Sequence, residues 1–167
     1  VVDEDTSKVY TIKPVFDLML NWKRVLYESF SMTILREYYN YIYSKNDYNL
    51  KQNQNVWESY KFFEKTLPLV KKEFYILYSN YTSFKRESYY NIYSWNFNKD
   101  DFKDKIVLVW YTAQWVKDDF FVPWLKKGWT LKWVYVHANA INNILNDSYV
   151  IFFNKTFSFI KVDWHYY

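Results

Sequence analysis

A regular alternation within residues 67–95 constrains the fold more than any other feature of the sequence. Phe74, Ile76 and Tyr78 recur at every second position, and the alternation returns at Tyr90. A period of two residues is typical of strands. The polar connection between the two runs is about ten residues long, without Gly or Pro, and far longer than a tight turn requires. The stretch therefore predicts two strands joined by a long hairpin arm.

The remaining segments are predicted from spacing, caps and breakers. Pro14 suits the first turn of a helix, and Gly128, which follows two Lys residues, suits a helix C-terminus. The other segments, in chain order, are a helix over 14–30, a strand over 31–38, a helix over 40–60, a loop over 96–105, a short apolar run over 106–110, a helix over 112–122, a strand over 129–136 and a strand-like run over 150–153.

The order of core elements is then strand, helix, strand, strand, helix, strand. Such an order predicts an α+β fold, in which a four-stranded antiparallel sheet carries two helices on one face (a split βαβ layout). The hairpin arm joins strands 2 and 3. We expect a core domain over residues 31–136, with extensions over 1–30 and 137–167. The first core strand lies at 31–38 or, alternatively, at 9–16.

Composition argues against catalysis. With one Gly in the chain, glycine-rich phosphate loops and the G-x-S-x-G nucleophile turn are excluded. With no Cys, thiolate chemistry and Cys-ligated metals are excluded as well. His137 and His165 are far apart in sequence and lack metal-ligand spacing, and Asp100, Asp101 and Asp104 fit a solvated loop better than a calcium loop. We expect no enzyme activity, no cofactor and no metal.

The arm carries cations beside aromatic side chains. Lys71 and Lys72 precede its first strand, while Lys85 and Arg86 lie near its tip. Cations neutralise phosphates and aromatic rings stack on unpaired bases, so the arm is suited to RNA. Acidic residues are interspersed and the net charge is only +4. On these residues alone, an RNA-binding arm and a merely solvated arm are about equally favoured.

Residue usage points to an AT-rich genome. Gly, Ala, Arg and Pro together make up 10 of the 167 residues, whereas Trp, whose standard codon is UGG, occurs nine times. Reading UGA as Trp, as mitochondria do, would explain both facts, so we expect a protein encoded in a ciliate-like organelle genome. No apolar run is long enough for a membrane span, and no secretory signal is recognisable. Most soluble proteins encoded in organelles are ribosomal.

The arm resembles the small-subunit ribosomal protein 10 family. That family has a Leu-Pro pair, then Lys, Phe, Leu and Ser, and later an aromatic residue two positions before Ile. The matching residues here are Leu67, Pro68, Lys72, Phe74, Leu77, Ser79, Tyr90 and Ile92. Upstream, Leu35, Arg36 and Tyr38 fit the end of the family's first strand, and Gly128 with the following strand fits downstream. The resemblance covers roughly residues 31–136.

The resemblance implies a structural component of the mitochondrial ribosome, in the head of its small subunit and in the mitochondrial matrix. Its partners would be small-subunit rRNA and ribosomal proteins 3, 9 and 14, with no membrane and no small-molecule substrate. Translation would be its process. RNA contacts are expected at Lys71, Lys72, Ser79, Tyr81, Lys85, Arg86, Tyr93 and Trp95, and protein contacts at Trp22, Trp129 and Trp133.

Two other readings remain open. A soluble accessory subunit of a respiratory or ATP synthase complex would dock through the aromatic residues and need no RNA. A surface or cytoplasmic domain of a mollicute would explain the same codon usage. Phosphate bound near Lys71, Lys72, Lys85 and Arg86 would favour the ribosomal reading over both.

Overall fold

A computed structural model describes the structure of residues 9–43, 58–79, 83–111, 116–122, 130–153 and 156–161. It contains α-helices and antiparallel strand pairs, so the predicted α+β class is confirmed. The helices are α1 (Phe30–Tyr43), α2 (Tyr89–Tyr93) and α3 (Trp133–Leu145). The strands are β1 (Thr11–Ile12), β2 (Val15–Leu20), β3 (Lys23–Glu28), β4 (Ser59–Phe62), β5 (Lys65–Pro68), β6 (Phe74–Tyr75), β7 (Asp119–Phe121), β8 (Thr130–Lys132), β9 (Ser148–Phe153) and β10 (Thr156–Lys161).

The described strands form antiparallel pairs rather than one sheet. They pair as β1 with β6, β2 with β3, β4 with β5, β7 with β8, and β9 with β10. The predicted four-stranded sheet with two helices on one face is therefore not found in this part of the chain. The predicted domain boundaries at 31 and 137 stay predictions.

Residues 15–28 form a hairpin, so the helix predicted over 14–30 is wrong. β2 and β3 pair from Val15 opposite Glu28 to Leu20 opposite Lys23. The turn residues Asn21 and Trp22 have φ values of 47° and 63°. Two left-handed residues in a two-residue loop match the twist of paired strands. Nine of the 14 residues here are apolar and satisfy helical spacing as well, which explains the error.

The next segment shows the opposite error. The strand predicted over 31–38 is part of α1, whose buried residues Ser31, Met32, Leu35 and Tyr39 form a helical stripe. Of the helix predicted over 40–60, residues 40–43 are helical as the end of α1, but the prediction is wrong at the other end, where β4 occupies Ser59–Phe62. Residues 44–57 lie outside the described part of the chain.

The predicted long hairpin arm is not found in the part of residues 67–95 that the structure describes. β6 begins at Phe74 as predicted, but it pairs with β1 from the N-terminal region. The predicted return strand is α2, a short helix at whose start the Ser88 side chain accepts a hydrogen bond from the Asn91 backbone N–H at 3.1 Å. Such a cap stabilises a helix start, and a strand prediction from alternation alone overlooks it. Between β6 and α2, residues 80–82 lie outside the described part.

The C-terminal half is predicted in part. The described end of the supposed helix 112–122 contains β7, and the strand predicted over 129–136 ends at Lys132, where α3 begins. Helix α3 buries one face, including Val136, Ala140 and Ile144. That stripe of residues four apart is a helical signal that the preceding alternation masked. The strand-like run over 150–153 is confirmed within β9.

One hydrophobic core joins these elements. It includes Leu35 of α1, Leu67 of β5, Phe74 of β6 and Ile144 of α3, each at most 2% exposed. Helices α1 and α3 pack on each other, and α3 also packs on β8 and β9. Within the described residues, no helix is both long and apolar enough to cross a membrane.

Candidate functional site

The predicted RNA-binding lysines lie at different places. Lys71 and Lys72 form a tight turn with φ values of 52° and 72°. The ammonium group of Lys72 is 3.3 Å from an oxygen of Asp17, whereas Lys71 is exposed. Lys85 forms an ion pair with Asp101. Both pairs use carboxylates to neutralise cations that were expected to meet phosphate.

The other predicted contact residues divide into inward-facing and outward-facing groups. Ser79 binds Asn139 through its backbone N–H and its hydroxyl, at 2.8 and 2.9 Å. Trp133 packs against Phe120 and is only partly exposed. In contrast, the outward-facing side chains are well exposed. They are Trp22, Arg86, Tyr93 and Trp95. Tyr81 and Trp129 lie outside the described residues, and the assignment of RNA and protein contacts to this set stays a prediction.

A buried Ser–His pair, which was not predicted from sequence, joins the two long helices. Ser31 Oγ on α1 lies 2.8 Å from Nδ1 of His137 on α3. The imidazole is flanked by the rings of Phe30 and Trp133, with centroids 4.9 and 5.0 Å away in edge contacts. Ser31 is fully buried and His137 is 5% exposed. A substrate would have no access to this hydroxyl, so we interpret the pair as a link between helices.

Burial controls the protonation of this histidine. Burial lowers the pKa of His137 to about 4, although the negative charge of Asp118 acts in the opposite direction. The imidazole is therefore neutral at neutral pH, which lets one ring nitrogen accept a hydrogen bond while the other carries the proton. Asp118 itself accepts a hydrogen bond from Trp110 Nε1 at 2.6 Å.

Two amides on α3 hold an extended segment against the helix. The Asn143 side chain accepts from the Leu77 N–H at 2.8 Å and donates to the Leu77 carbonyl at 3.0 Å. One turn earlier, Asn139 binds Ser79 and donates to the Tyr135 carbonyl at 2.7 Å. In a sheet, a neighbouring strand would bind the backbone groups of Leu77 and Ser79. Here the two amide side chains satisfy those groups instead. Leu77 and Ser79 are two positions apart on the extended segment. They contact Asn143 and Asn139, which are four positions apart on the helix.

A buried carboxylate lies at the base of the β2–β3 hairpin. The Glu28 side chain is 3% exposed, and Arg36 of α1 lies 2.9 Å from it. The Tyr60 hydroxyl donates to its other oxygen at 3.3 Å. Desolvation raises the pKa of Glu28, while the charge of Arg36 opposes that rise. The ion pair thus fastens the hairpin to α1.

A shallow pocket lies at the C-terminal end of α1. Its volume is about 350 Å³, and Tyr38, Tyr41, Ile42, Asp104 and Lys105 line it. Asp104 has a left-handed backbone, with φ of 55°. Tyr41 is 76% and Ile42 is 49% exposed, so this pocket is an open depression of the surface and not an enclosed cavity. Among the described residues, no group of three or more His, Cys, Asp or Glu side chains is placed to hold a metal ion.

Comparison with known proteins gives one family. A family model for the CHASE2 domain matches residues 2–165. No curated protein and no solved structure matches the chain.

This match overturns the resemblance to the small-subunit ribosomal protein 10 family. The predicted ribosomal role, the rRNA and ribosomal-protein partners, and the mitochondrial matrix location are wrong. The alternative of a respiratory or ATP synthase subunit has no support either. The motif that suggested the resemblance runs through β5, the Lys71–Lys72 turn and β6, and not along a hairpin arm. Its residues are common types, so their spacing alone could not identify a fold.

Proposed function

Because the chain belongs to the CHASE2 domain family, we propose that it is a sensory domain of a signalling protein and acts on the extracellular side of a membrane. The observation that supports this is the family match, which spans residues 2–165. A sensory domain needs a place where a signal changes its structure and a path by which the change reaches another part. The described residues offer a candidate for each.

The candidate input site is the pocket at the end of α1. Tyr38, Tyr41 and Ile42 supply apolar contact, and Asp104 and Lys105 supply opposite charges on adjacent residues. Such a lining suits a small molecule that has an apolar part and carries both an amino and an acidic group. A ligand there would touch α1 and the 104–105 segment together, and could therefore change their relative position.

The candidate output path is the contact between α1 and α3. The Ser31–His137 hydrogen bond is a polar link across it, and the edge contact between the rings of Phe30 and His137 is an aromatic link. Packed helices shift as units because close-packed side chains resist local deformation. A displacement of α1 at Tyr41 would thus also shift α3. The prediction that the chain is not an enzyme is retained as part of this proposal.

The location can be tested by labelling, since the chain has no Cys. Val109 is 83% exposed, so Val109→Cys adds a reactive thiol without removing a core contact. In the cellular protein, we expect a membrane-impermeant maleimide to label this variant in intact cells, with the unsubstituted protein as the background. Labelling that requires lysis would contradict the extracellular assignment.

The pocket can be tested with amino acids of aromatic and aliphatic type as probes. Binding to the folded state raises the melting temperature, because a ligand at a hundred times its Kd stabilises by about 2.7 kcal/mol. We expect Tyr41→Ala to abolish the shift produced by an active probe. Tyr89→Ala is the matched control, since both tyrosines are 76% exposed and Tyr89 is not in the pocket. Equal shifts in both variants would exclude this pocket.

A further inference from the structure

The β2–β3 hairpin is anchored at its base and exposed at its far end. Near the base, Val15 and Leu26 are each 2% exposed. Toward the turn, exposure increases to 66% for Met19 and 96% for Trp22. The distal half is therefore a projection of large apolar side chains that the rest of the described structure leaves uncovered.

Register separates the two faces of this hairpin. Opposed residues share a face, and Phe16 pairs with Tyr27, Leu18 with Val25, and Leu20 with Lys23. On that face, Phe16, Leu18, Leu20 and Tyr27 are 46–47% exposed. The face is apolar along its length and ends in a cation next to the turn.

Basic side chains surround the hairpin. Arg24 and Lys72 both lie on Asp17, at 3.1 and 3.3 Å, so two cations share one carboxylate. Lys23 beside the turn and Lys71 beside Lys72 are exposed. We refer to Lys23, Arg24, Lys71 and Lys72 as the basic collar. With Asp17 included, the collar keeps a positive charge.

We propose that the distal half of this hairpin docks on an anionic lipid surface, with Trp22 entering the interface at the apex. Tryptophan and tyrosine favour the boundary between acyl chains and headgroups. Lys and Arg are attracted to anionic headgroups and can keep their charged ends there while their stems lie on apolar surface. From Leu18 to the turn is three residues, or roughly 10 Å of strand. That length matches the roughly 5–10 Å depth that interfacial segments reach.

Charge favours a membrane over a second copy of the chain. A two-fold interface places the same patch against itself, so the basic collar of one copy would meet the basic collar of the other. Repulsion between like charges opposes that arrangement. An anionic surface instead complements the collar at the same time as it covers Met19, Leu20 and Trp22.

The test measures flotation of the full 167-residue chain with vesicles. We expect binding to equimolar phosphatidylcholine and phosphatidylglycerol, weaker binding to phosphatidylcholine alone, and weaker binding as salt is raised, because salt screens surface charge. Failure to float with the mixed vesicles would overturn the proposal, and so would equal binding to both kinds of vesicle.

Trp22→Gly tests the apex without endangering the hairpin. Asn-Gly is the most favoured pair for a turn with two left-handed residues, so this change keeps β2 and β3 paired. We expect binding to weaken about tenfold or more, because a large apolar group no longer leaves water. Trp95→Gly is the matched control, since Trp95 is 77% exposed and left-handed with φ of 58°. Unchanged binding in Trp22→Gly would refute insertion of the apex.

A pair of double variants tests the collar. Lys23→Glu with Lys71→Glu should reduce binding to the mixed vesicles about tenfold or more, because each cation near an anionic surface contributes to attraction. Lys99→Glu with Lys103→Glu makes the same change in net charge at exposed positions outside the hairpin. An equal loss of binding in both double variants would show that the basic collar contributes no more to vesicle binding than other exposed lysines do.

Sedimentation without vesicles tests whether the hairpin binds a second copy of the chain instead of a membrane. We expect the chain to show no self-association that depends on the hairpin. A dimer that forms with rising concentration and is dispersed by Trp22→Gly would assign the hairpin to a second copy and overturn the membrane proposal. The labelling experiment on Val109→Cys reports on the proposed extracellular location alone, so the two proposals can fail separately.

Discussion

His137 makes the stability of the protein depend on pH. Its folded pKa of about 4 is below the ordinary value of 6.5, so between these values the unfolded chain binds a proton that the folded chain does not. The free energy of unfolding should therefore have its full value above about pH 6.5. It should decrease by about 2–3 kcal/mol as the pH is lowered to about 4. Urea denaturation across that range measures the loss.

His137→Gln should remove most of this dependence, because glutamine does not titrate and can still meet Ser31. The other histidine, His165, is the matched control, since His165→Gln makes the same substitution elsewhere in the chain. If His165→Gln flattens the pH profile and His137→Gln does not, the depressed pKa of His137 is refuted.

Two Arg–carboxylate pairs beside the hairpin should differ in strength. Arg36 meets a Glu28 side chain that is 3% exposed, whereas Arg24 meets Asp17 with 41% of its own side chain exposed. We expect Arg36→Met to cost about 2–4 kcal/mol, because an unpaired carboxylate is left buried. Arg24→Met, the same substitution at an exposed pair, should cost less than about 1 kcal/mol. Urea midpoints of both variants test the contrast.

The Arg36→Met variant also has an expected pH signature. Without Arg36 the pKa of Glu28 should rise further, because the cation that opposes desolvation is gone. A folded state with a raised carboxyl pKa binds a proton more readily than the unfolded chain, so the loss of stability should shrink as pH falls. A loss that stays constant with pH would mean that Arg36 acts by packing alone.

At the scale of elements, α3 serves as the partner of the extended segment at residues 77–79. Asn143→Leu removes both hydrogen bonds to the Leu77 backbone and should cost about 1–3 kcal/mol, because a buried donor and acceptor lose their partners. Asn142→Leu is the control one position earlier on the helix, where the amide oxygen accepts from Asn146 near the surface. Comparable losses in the two variants would contradict the role given to Asn143.

Local sequence signals predicted some of these elements correctly and confused helix with strand in others. β9 and the starts of β6 and β8 follow from residue type and alternation. In residues 15–28, by contrast, nine of the 14 positions are apolar and fit both spacings, so periodicity could not choose between helix and hairpin. The left-handed pair at Asn21 and Trp22 decides it, and only Asn21 hints at that turn in the sequence. Ser31–Tyr38 then becomes helical because it packs on α3, a tertiary cause.

The candidate sites were hard to predict for a similar reason. Ser31 and His137 are 106 positions apart, and no local pattern links them. Asn139 and Asn143, four positions apart, do carry a signal, because that spacing puts two amides on one helical face. Exposure of Trp22 was expected only as a general protein contact, since its place at a turn depends on the hairpin.

At the scale of the whole molecule, small strand pairs share a core centred on two helices. Several pairs contribute buried apolar residues, as β5 does with Leu67 and β6 with Phe74, while α1 and α3 join them. A resemblance built on a few residues of β5 and β6 could not detect this arrangement. Composition reinforced the error, because it described the genome and not the fold.

Unequal burial across the molecule predicts unequal protection from hydrogen exchange. Helix α3 buries seven residues, whereas α2 buries none and the distal hairpin is largely exposed. Amides of α3 and the buried turns of α1 should therefore exchange slowest, through global unfolding, while α2 and residues 18–24 exchange through local opening. Exchange followed by mass spectrometry resolves these segments.

The same experiment links the fold to the proposed surface. Adding mixed anionic vesicles should slow exchange in residues 18–24, because docking excludes water from the end of the hairpin and holds its strands together. Helix α2, with exposed Tyr89 and Tyr93, serves as an internal reference that should not change. Protection in α2 equal to that in the hairpin would mean adsorption through aromatic side chains in general. Protection confined to residues 18–24 would mean that a hairpin anchored through Glu28 and Arg36 connects the lipid surface to α1.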